Sequence, residues 1–203
     1  MASTQYYLAA SLDGYIALPD GSIDWLTGFS GTSNLDAPEA NEGPMLADGA
    51  YERFYAEIGA VAMGSKTYEF ILEAGRSWPY ADVPAWVFSS RELPIPDGAD
   101  VRLVRGDVAP PHAEMVVAAG ERNVWIVGGG DLASRFAAKG LLDELLLTTV
   151  PVVLGEGIPV FAEPLCGELR LTGTQVFRNG MVELSYELPQ SAPARSRTDQ
   201  KPA

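Results

Sequence analysis

Up to about residue 145 the chain alternates short apolar runs with helix-like segments. That alternation confines it to an α/β architecture built on a mostly parallel sheet. The runs TQYYLAASL (Thr4–Leu12), GAVAMG (Gly59–Gly64), AWVFSS, ADVRLVRG (Ala99–Gly106), NVWIVGG and DELLLTTVPVVLG read as strands, the last nearly continuous in apolar residues in its later half. Between them, DGAYERFYAEI places Tyr51, Phe54, Tyr55 and Ile58 at helical spacing. SKTYEFILEAG opens on a serine suited to an N-cap, Ser65, and ends at Gly75. PPHAEMVVAAG carries prolines where a helix tolerates them, and GDLASRFAAKG ends at Gly140. The last segment, ELRLTGTQVFRNGMVELSYEL, alternates apolar and polar residues around Asn179-Gly180 and predicts an antiparallel hairpin. Residues 1–188 are expected to form one domain and 189–203 a disordered tail, since PQSAPARSRTDQKPA has almost no large apolar residues. The polar stretch TGFSGTSNLDAPEANE (Thr27–Glu42) predicts a long surface loop of the kind that forms lids.

Composition removes several function classes. A formal net charge of −13 over 203 residues argues against nucleic-acid partners, which need Lys and Arg for phosphates. No apolar run is long enough for a membrane helix, and MASTQYYLAA lacks the basic start and apolar stretch of a signal peptide. With one cysteine, Cys166, no disulfide can form within the chain, which fits a cytoplasmic setting. With one histidine, His112, zinc clusters of Cys and His are unavailable, and a Ser-His-Asp triad would rest on a residue expected at a surface helix end. Cys166 is expected to be a small packed residue.

In VWIVGGGDLASRF an apolar run meets three glycines and then a helix. In open α/β sheets ligands sit outside the carboxyl ends of strands. A helix starting there offers N–H groups and a positive dipole end to an anion. A tight turn without a ligand explains the same triplet. The match of Gly128-Gly129-Gly130-Asp131-Leu132-Ala133 to the dinucleotide fingerprint G-x-G-x-x-A carries little, because no acidic residue closes the next strand. Two other strands also end in small or hydroxyl residues near a cation: Gly64-Ser65-Lys66-Thr67 and Ser89-Ser90-Arg91. The three together point to one extended anionic ligand across the sheet edge, and a dinucleotide has the right length.

These segments, with SLDGYIA and VPVVLGEGIPVF, stand in the order and spacing of the dihydrofolate-reductase-like superfamily. The chain most resembles the reductase domain of the bifunctional riboflavin-biosynthesis deaminase–reductase and its stand-alone relatives, over residues 4–188. The resemblance implies a mostly parallel sheet of about eight strands, helices on both faces, an antiparallel C-terminal hairpin, and NADPH as hydride donor. It implies a homodimer. It would put Gly64, Ser65, Lys66 and Thr67 at the pyrophosphate and adenosine ribose, with Ser89 and Ser90 flanking the adenosine end. Gly128, Gly129 and Gly130 would approach the pyrophosphate and nicotinamide side, Asp131 and Leu132 the helix start beyond, and Ala10 and Ile16 the nicotinamide end. Many relatives carry arginine where this chain has Ser65, so Lys66 or Arg91 would hold a 2′-phosphate, and NADH is a possible alternative cofactor. The H-x-E and P-C-x-x-C ligands of the deaminase domain are absent.

Reduction of a C=O or C=N bond needs a proton donor. Asp13, at the end of the first strand, and Asp24, before Trp25, are the candidates, although Asp before Gly also makes ordinary turns. Trp25 and Tyr68 are candidate walls for a flat heterocycle, with core packing as the alternative. Glu156, between two glycines, borders the substrate mouth in the family. The expected activity is NAD(P)H-dependent reduction of a small, heterocyclic substrate, either the riboflavin-pathway ribosylaminopyrimidine or that of a divergent relative. A nucleotide-binding regulatory dimer without turnover and a true dihydrofolate reductase are the alternatives.

Overall fold

The computed structural model describes residues 2–30, 50–75 and 77–189. The predicted lid beyond Ser30, Arg76 and the tail beyond Pro189 lie outside the described residues. The strands are β1 (Thr4–Ser11), β2 (Tyr15–Ala17), β3 (Ile58–Gly64), β4 (Ala85–Phe88), β5 (Val101–Val104), β6 (Asn123–Gly128), β7 (Glu144–Val150), β8 (Ile158–Pro159), β9 (Arg170–Val176) and β10 (Val182–Glu187). The helices are α1 (Asp24–Thr27), α2 (Ala50–Ala56), α3 (Ser65–Glu73), α4 (Ala109–Ala119) and α5 (Gly130–Ala138). Eight strands form one sheet in the order β5-β4-β3-β6-β1-β7-β10-β9, and β2 pairs with β8 in a separate ribbon. The six strands from β5 to β7 are parallel; β10 runs antiparallel to β7, and β9 antiparallel to β10. The expected mostly parallel sheet with an antiparallel C-terminal hairpin is what the chain forms.

Strand alternation divides the core. Tyr6, Ala60, Ala62, Trp86 and Ile126 point to one face, beneath Met115 and Ala119 of α4 and Leu132, Ala133 and Phe136 of α5. Tyr7, Val61, Met63, Val87 and Trp125 point to the other, beneath Phe54 of α2 and Tyr68 of α3. Helices therefore lie on both faces. A strand covered on both faces is apolar at successive positions, and every residue from Ile58 to Met63 is buried.

Several boundaries depart from the sequence reading. Ser65 is not a cap: Gly64 occupies the N-cap position with extended backbone (φ −79°, ψ 163°), and Ser65 is the first helical residue. Helix α2 stops at Ala56, and Ile58 opens β3 instead of closing the helix face. Strand β7 stops at Val150 although apolar residues continue, because Pro151 has no N–H for a ladder. The short helix α1 and the β2–β8 ribbon carry no signal in the sequence pattern. Asn179-Gly180 does turn the hairpin. The Phe177 N–H donates to the Met181 carbonyl and the Gly180 N–H to the Phe177 carbonyl, with Gly180 at φ 89°, a conformation that favours glycine.

Cys166 is exposed rather than packed. His112 is half-buried, with Nε2 2.8 Å from Thr4 Oγ1 at the amino end of β1. That places the imidazole at the sheet edge opposite the strands' carboxyl ends. Desolvation holds its pKa below the ordinary histidine value, partly offset by the Asp143 carboxylate. Among the described residues no helix is long and apolar enough to cross a membrane, and no group of three Cys, His, Asp or Glu could hold a metal ion.

Candidate functional site

Strands β4, β3 and β6 are neighbours and parallel, so their carboxyl ends lie side by side. Gly64 is level with Phe88, and Met63 with Gly128. The segments Ser89–Arg91, Gly64–Thr67 and Gly128–Gly130 thus form three adjacent crests on one edge. Strand β1 pairs with β6 on the far side and brings Ala10 to the same edge. These dispersed sequence features are brought together.

Two of the crests are helix starts. Gly64 caps α3 and Gly129 caps α5, both with extended backbone and no side-chain cap bond. The first N–H groups of each helix therefore lack intrahelical partners and face the edge with the positive ends of the dipoles. The backbone there is open: a Cβ at Gly64 or Gly129 would meet nothing within 4 Å, whereas one at Gly128 would lie 3.2 Å from Thr67 Oγ1. So α3 and β6 touch through Thr67 while the cradle between the helix starts stays clear. The Gly128–Gly129 peptide is cis. An elongated diphosphate fits the N–H groups and the clearance.

The cationic side chains are less uniform. Lys66 is exposed in the first turn of α3. Arg91 is exposed, and its Nη2 lies 2.7 Å from Oε2 of Glu69 in α3. Ser89 folds this crest, donating from Oγ to the Arg91 carbonyl and accepting the Arg91 N–H, both at 2.9 Å. Ser90 is exposed beside it, as is Asp131 in the first turn of α5. Leu132 is buried under the sheet, so only its backbone can face a ligand. Ile16 lies half-buried in β2.

Of the proposed heterocycle walls, Tyr68 is excluded. It is fully buried, packs edge-to-face on Trp78 and donates its hydroxyl to the Pro94 carbonyl at 2.7 Å. Helical spacing alone cannot distinguish a pocket wall from core. Trp25 is half-buried in α1, against the cluster of Leu26, Val150, Phe177 and Met181. Asp24 is exposed at the start of α1, and Glu156 is exposed after β7. Asp13 braces a loop. Its carboxylate accepts from Ser11 Oγ at 2.6 Å and from the Leu154 and Gly155 N–H groups at 3.1 and 2.7 Å. The Ser11 hydroxyl, then the two amides, hold its pKa below the usual carboxylate range. An ionised carboxylate filled with donors accepts protons and is a poor source of them. Because the folded pKa is depressed, the brace is complete above the ordinary carboxylate value and is lost as pH falls through the lowered one. Asp13→Asn should accelerate hydrogen exchange at the Leu154 and Gly155 amides at neutral pH. Unchanged protection would remove the bracing role.

One group escaped the sequence reading. Tyr7 and Thr148 are buried on adjacent strands, and both hydroxyls reach Glu183 Oε2 of β10, at 3.1 and 3.3 Å. Strand alternation gives each residue a face, but the pairing of residue 7 with residue 183 needs the register of β7 and β10, which no local pattern supplies.

The model of the RibD C-terminal domain family matches residues 3–183. Protein YwjB of Bacillus subtilis (strain 168) is 37% identical over 185 residues, spanning 90% of this chain and 96% of its own. A solved structure of a candidate riboflavin biosynthesis protein from Shewanella sp. PV-4 superposes with a TM-score of 0.72 at 27% identity, covering 91% of this chain and 98% of that one. A pyrimidine reductase-like protein from Corynebacterium diphtheriae, 14% identical, shares the fold with a TM-score of 0.60 over 94% and 93% of the two chains. Sequence match and sheet order together establish that the chain belongs to the RibD C-terminal domain family, the riboflavin-biosynthesis type of reductase domain on a dihydrofolate-reductase-like fold.

Proposed function

We propose that the protein is an NADPH-dependent reductase of a small nitrogen heterocycle. One observation carries the reading: two uncapped helix N-termini, those of α3 and α5, open side by side onto one sheet edge. Reductase domains of the family use NADPH in general, which supports the same assignment. The Ser65, Lys66 and Thr67 amides of α3 and the Gly130, Asp131 and Leu132 amides of α5 would hold the diphosphate. Ser90 and Ser89 border the adenosine end, with Lys66 and Arg91 supplying charge for a 2′-phosphate. Ala10 and Ile16 stand at the nicotinamide end. The bound cofactor supplies hydride; the chain orients it against a heterocycle and delivers a proton. With Asp13 committed to its loop, Asp24 is the remaining carboxylate of the proposed pair, and Trp25 and Glu156 border the substrate side.

Calorimetric titration with NADPH and NADH tests this. NADPH should bind more tightly, and Lys66→Ala or Arg91→Ala should cost about tenfold in NADPH affinity, the worth of one charge-assisted bond. NADH should be affected far less. Equal affinities for the two nucleotides in all three proteins would reject the assignment of the cations, and no binding of either would reject the reading. Consumption of NADPH with a panel of pyrimidines and pterins separates an enzyme from a regulatory nucleotide binder. In the same assay Asp24→Asn should lower turnover while leaving NADPH affinity intact.

A further inference from the structure

The Tyr7–Thr148–Glu183 group stands apart from the cofactor crests. Ala9, Thr148 and Glu183 are level with one another on β1, β7 and β10, on the sheet face that carries Tyr7. The row lies two residues in from the carboxyl end of β7 at Val150, about 7 Å along the strand. It separates two apolar clusters. On one side the Phe54 ring of α2 packs against Tyr7 at a tilt of 56°, ring centroids 4.3 Å apart. On the other, Ala9 and Trp25 pack with Val150, Phe177 and Met181.

Glu183 is half-buried between these clusters. Withdrawing a carboxylate from water is costly unless its oxygens find donors. Both bonds from the described residues go to Oε2, from Tyr7 Oη and Thr148 Oγ1. Two donors fill the lone pairs of that oxygen. Burial, then the adjacent carboxylate, pushes the Tyr7 phenol above its ordinary range, so it remains a donor to Glu183. The side chain is thereby fixed in place, with Oε1 taking no bond from any described residue. Strand alternation asks only for a polar residue on this face, and Ser185, two residues on, is neutral.

We propose that Glu183 is the substrate-recognition carboxylate of this reductase, its Oε1 accepting hydrogen bonds from the N–H edge of an amino-substituted heterocycle. The inference rests on the reductase reading for its location and extends it to the substrate's chemistry. Because Oε2 is already filled, the ligand is bound through one oxygen, with an exocyclic amino group and a ring N–H able to converge on it. A ligand presenting only acceptors would leave the carboxylate unmatched, and such a site rejects the analogue lacking the donor.

The test uses the full chain, with 2,4-diaminopyrimidine as the donor-edged probe and 2,4-dimethoxypyrimidine as its donor-free counterpart, titrated by saturation-transfer NMR. The diamino compound should bind at least tenfold more tightly. Glu183→Gln should abolish that preference, and Tyr7→Phe, which frees the carboxylate to move, should reduce it about threefold. Folding of each variant is checked by its thermal midpoint and its NADPH affinity. Equal binding of the two probes, no binding of either, or an unchanged preference in a folded Glu183→Gln variant overturns the proposal. The outcomes separate the two readings. Equal binding of the two probes by the unsubstituted chain, with intact NADPH binding, removes the recognition role alone. Discrimination without NADPH binding removes the reductase reading and leaves the carboxylate's role standing.

Discussion

Trp125→Ala should lower the thermal midpoint by about 10 °C. Trp125 is buried at the centre of β6 and touches four aromatic rings. The centroids of Phe54, Tyr80, Tyr51 and Tyr7 lie 5.2, 5.7, 6.1 and 6.5 Å away. Its Nε1–H donates to the Tyr7 carbonyl on the neighbouring strand at 3.2 Å. Removing a buried tryptophan costs about 3–5 kcal/mol, from lost transfer energy and the cavity left behind. For a chain of this size each kcal/mol moves the midpoint by about 2–4 °C. The damage should be directional. Phe54 and Tyr51 of α2 both pack edge-on against this indole, so amides of α2 should lose protection before those of α5 on the opposite face. Trp125→Phe keeps the ring contacts but leaves the Tyr7 carbonyl without that donor, and should cost about 1–2 kcal/mol. A midpoint change under about 3 °C for the alanine variant would show that the aromatic cluster is not what fastens α2.

The architecture was legible because its determinants are local and repeated. Val124–Val127 and Ile58–Met63 are apolar at successive positions, and only a strand covered on both faces requires that. The hairpin was legible because Asn179-Gly180 sits between alternating strands. The three crests were recognisable as strand ends, but their adjacency was not. It depends on β6 inserting between β3 and β1, a topology that brings residue 128 beside residue 63. Side-chain roles were harder to read. Tyr68 and Trp25 have equally aromatic signatures, and only tertiary packing makes one core and leaves the other at the margin. Asp13 has the position of a proton donor, in the turn just beyond the carboxyl end of β1. What decided its role was the return of residues 154 and 155 to the same spot, 141 positions later in the chain. Glu183 was invisible for the same reason. Its two partners come from strands 176 and 35 positions away.

Gly130→Ala should weaken the fold, and nucleotide binding with it where α5 is the part displaced, although helix propensity alone predicts a gain in stability. Gly130 is the first residue of α5, where alanine would favour a helix interior by about 1 kcal/mol. Its φ is not in the left-handed region, so backbone freedom is not at issue. The constraint is a close approach. A Cβ there would press on the Pro159 carbonyl oxygen and lie 2.9 Å from that of Val160, both backbone atoms with no rotamer to yield. The segment cannot simply swing away. The Val160 N–H is bonded to the Gly14 carbonyl, the Ala162 N–H to Gly130's own, and Ser134 Oγ bridges the Gly130 carbonyl and the Glu163 N–H. Either the ribbon of β2 and β8 or the start of α5 must move. Overpacking of this kind costs about 1–3 kcal/mol, enough to outweigh the propensity gain and lower the midpoint by several degrees. If α5 is the part that moves, its amides leave the cradle. The diphosphate then loses several charge-assisted bonds where Lys66→Ala removes one, so NADPH affinity should fall by more than in Lys66→Ala. If the ribbon moves instead, affinity holds while protection at Leu154 and Gly155 drops, because Asp13 and β2 share the turn that anchors them. A stabilised Gly130→Ala protein with intact NADPH affinity would show that β8 does not press on α5, and with that the account of how the cradle is held would fail.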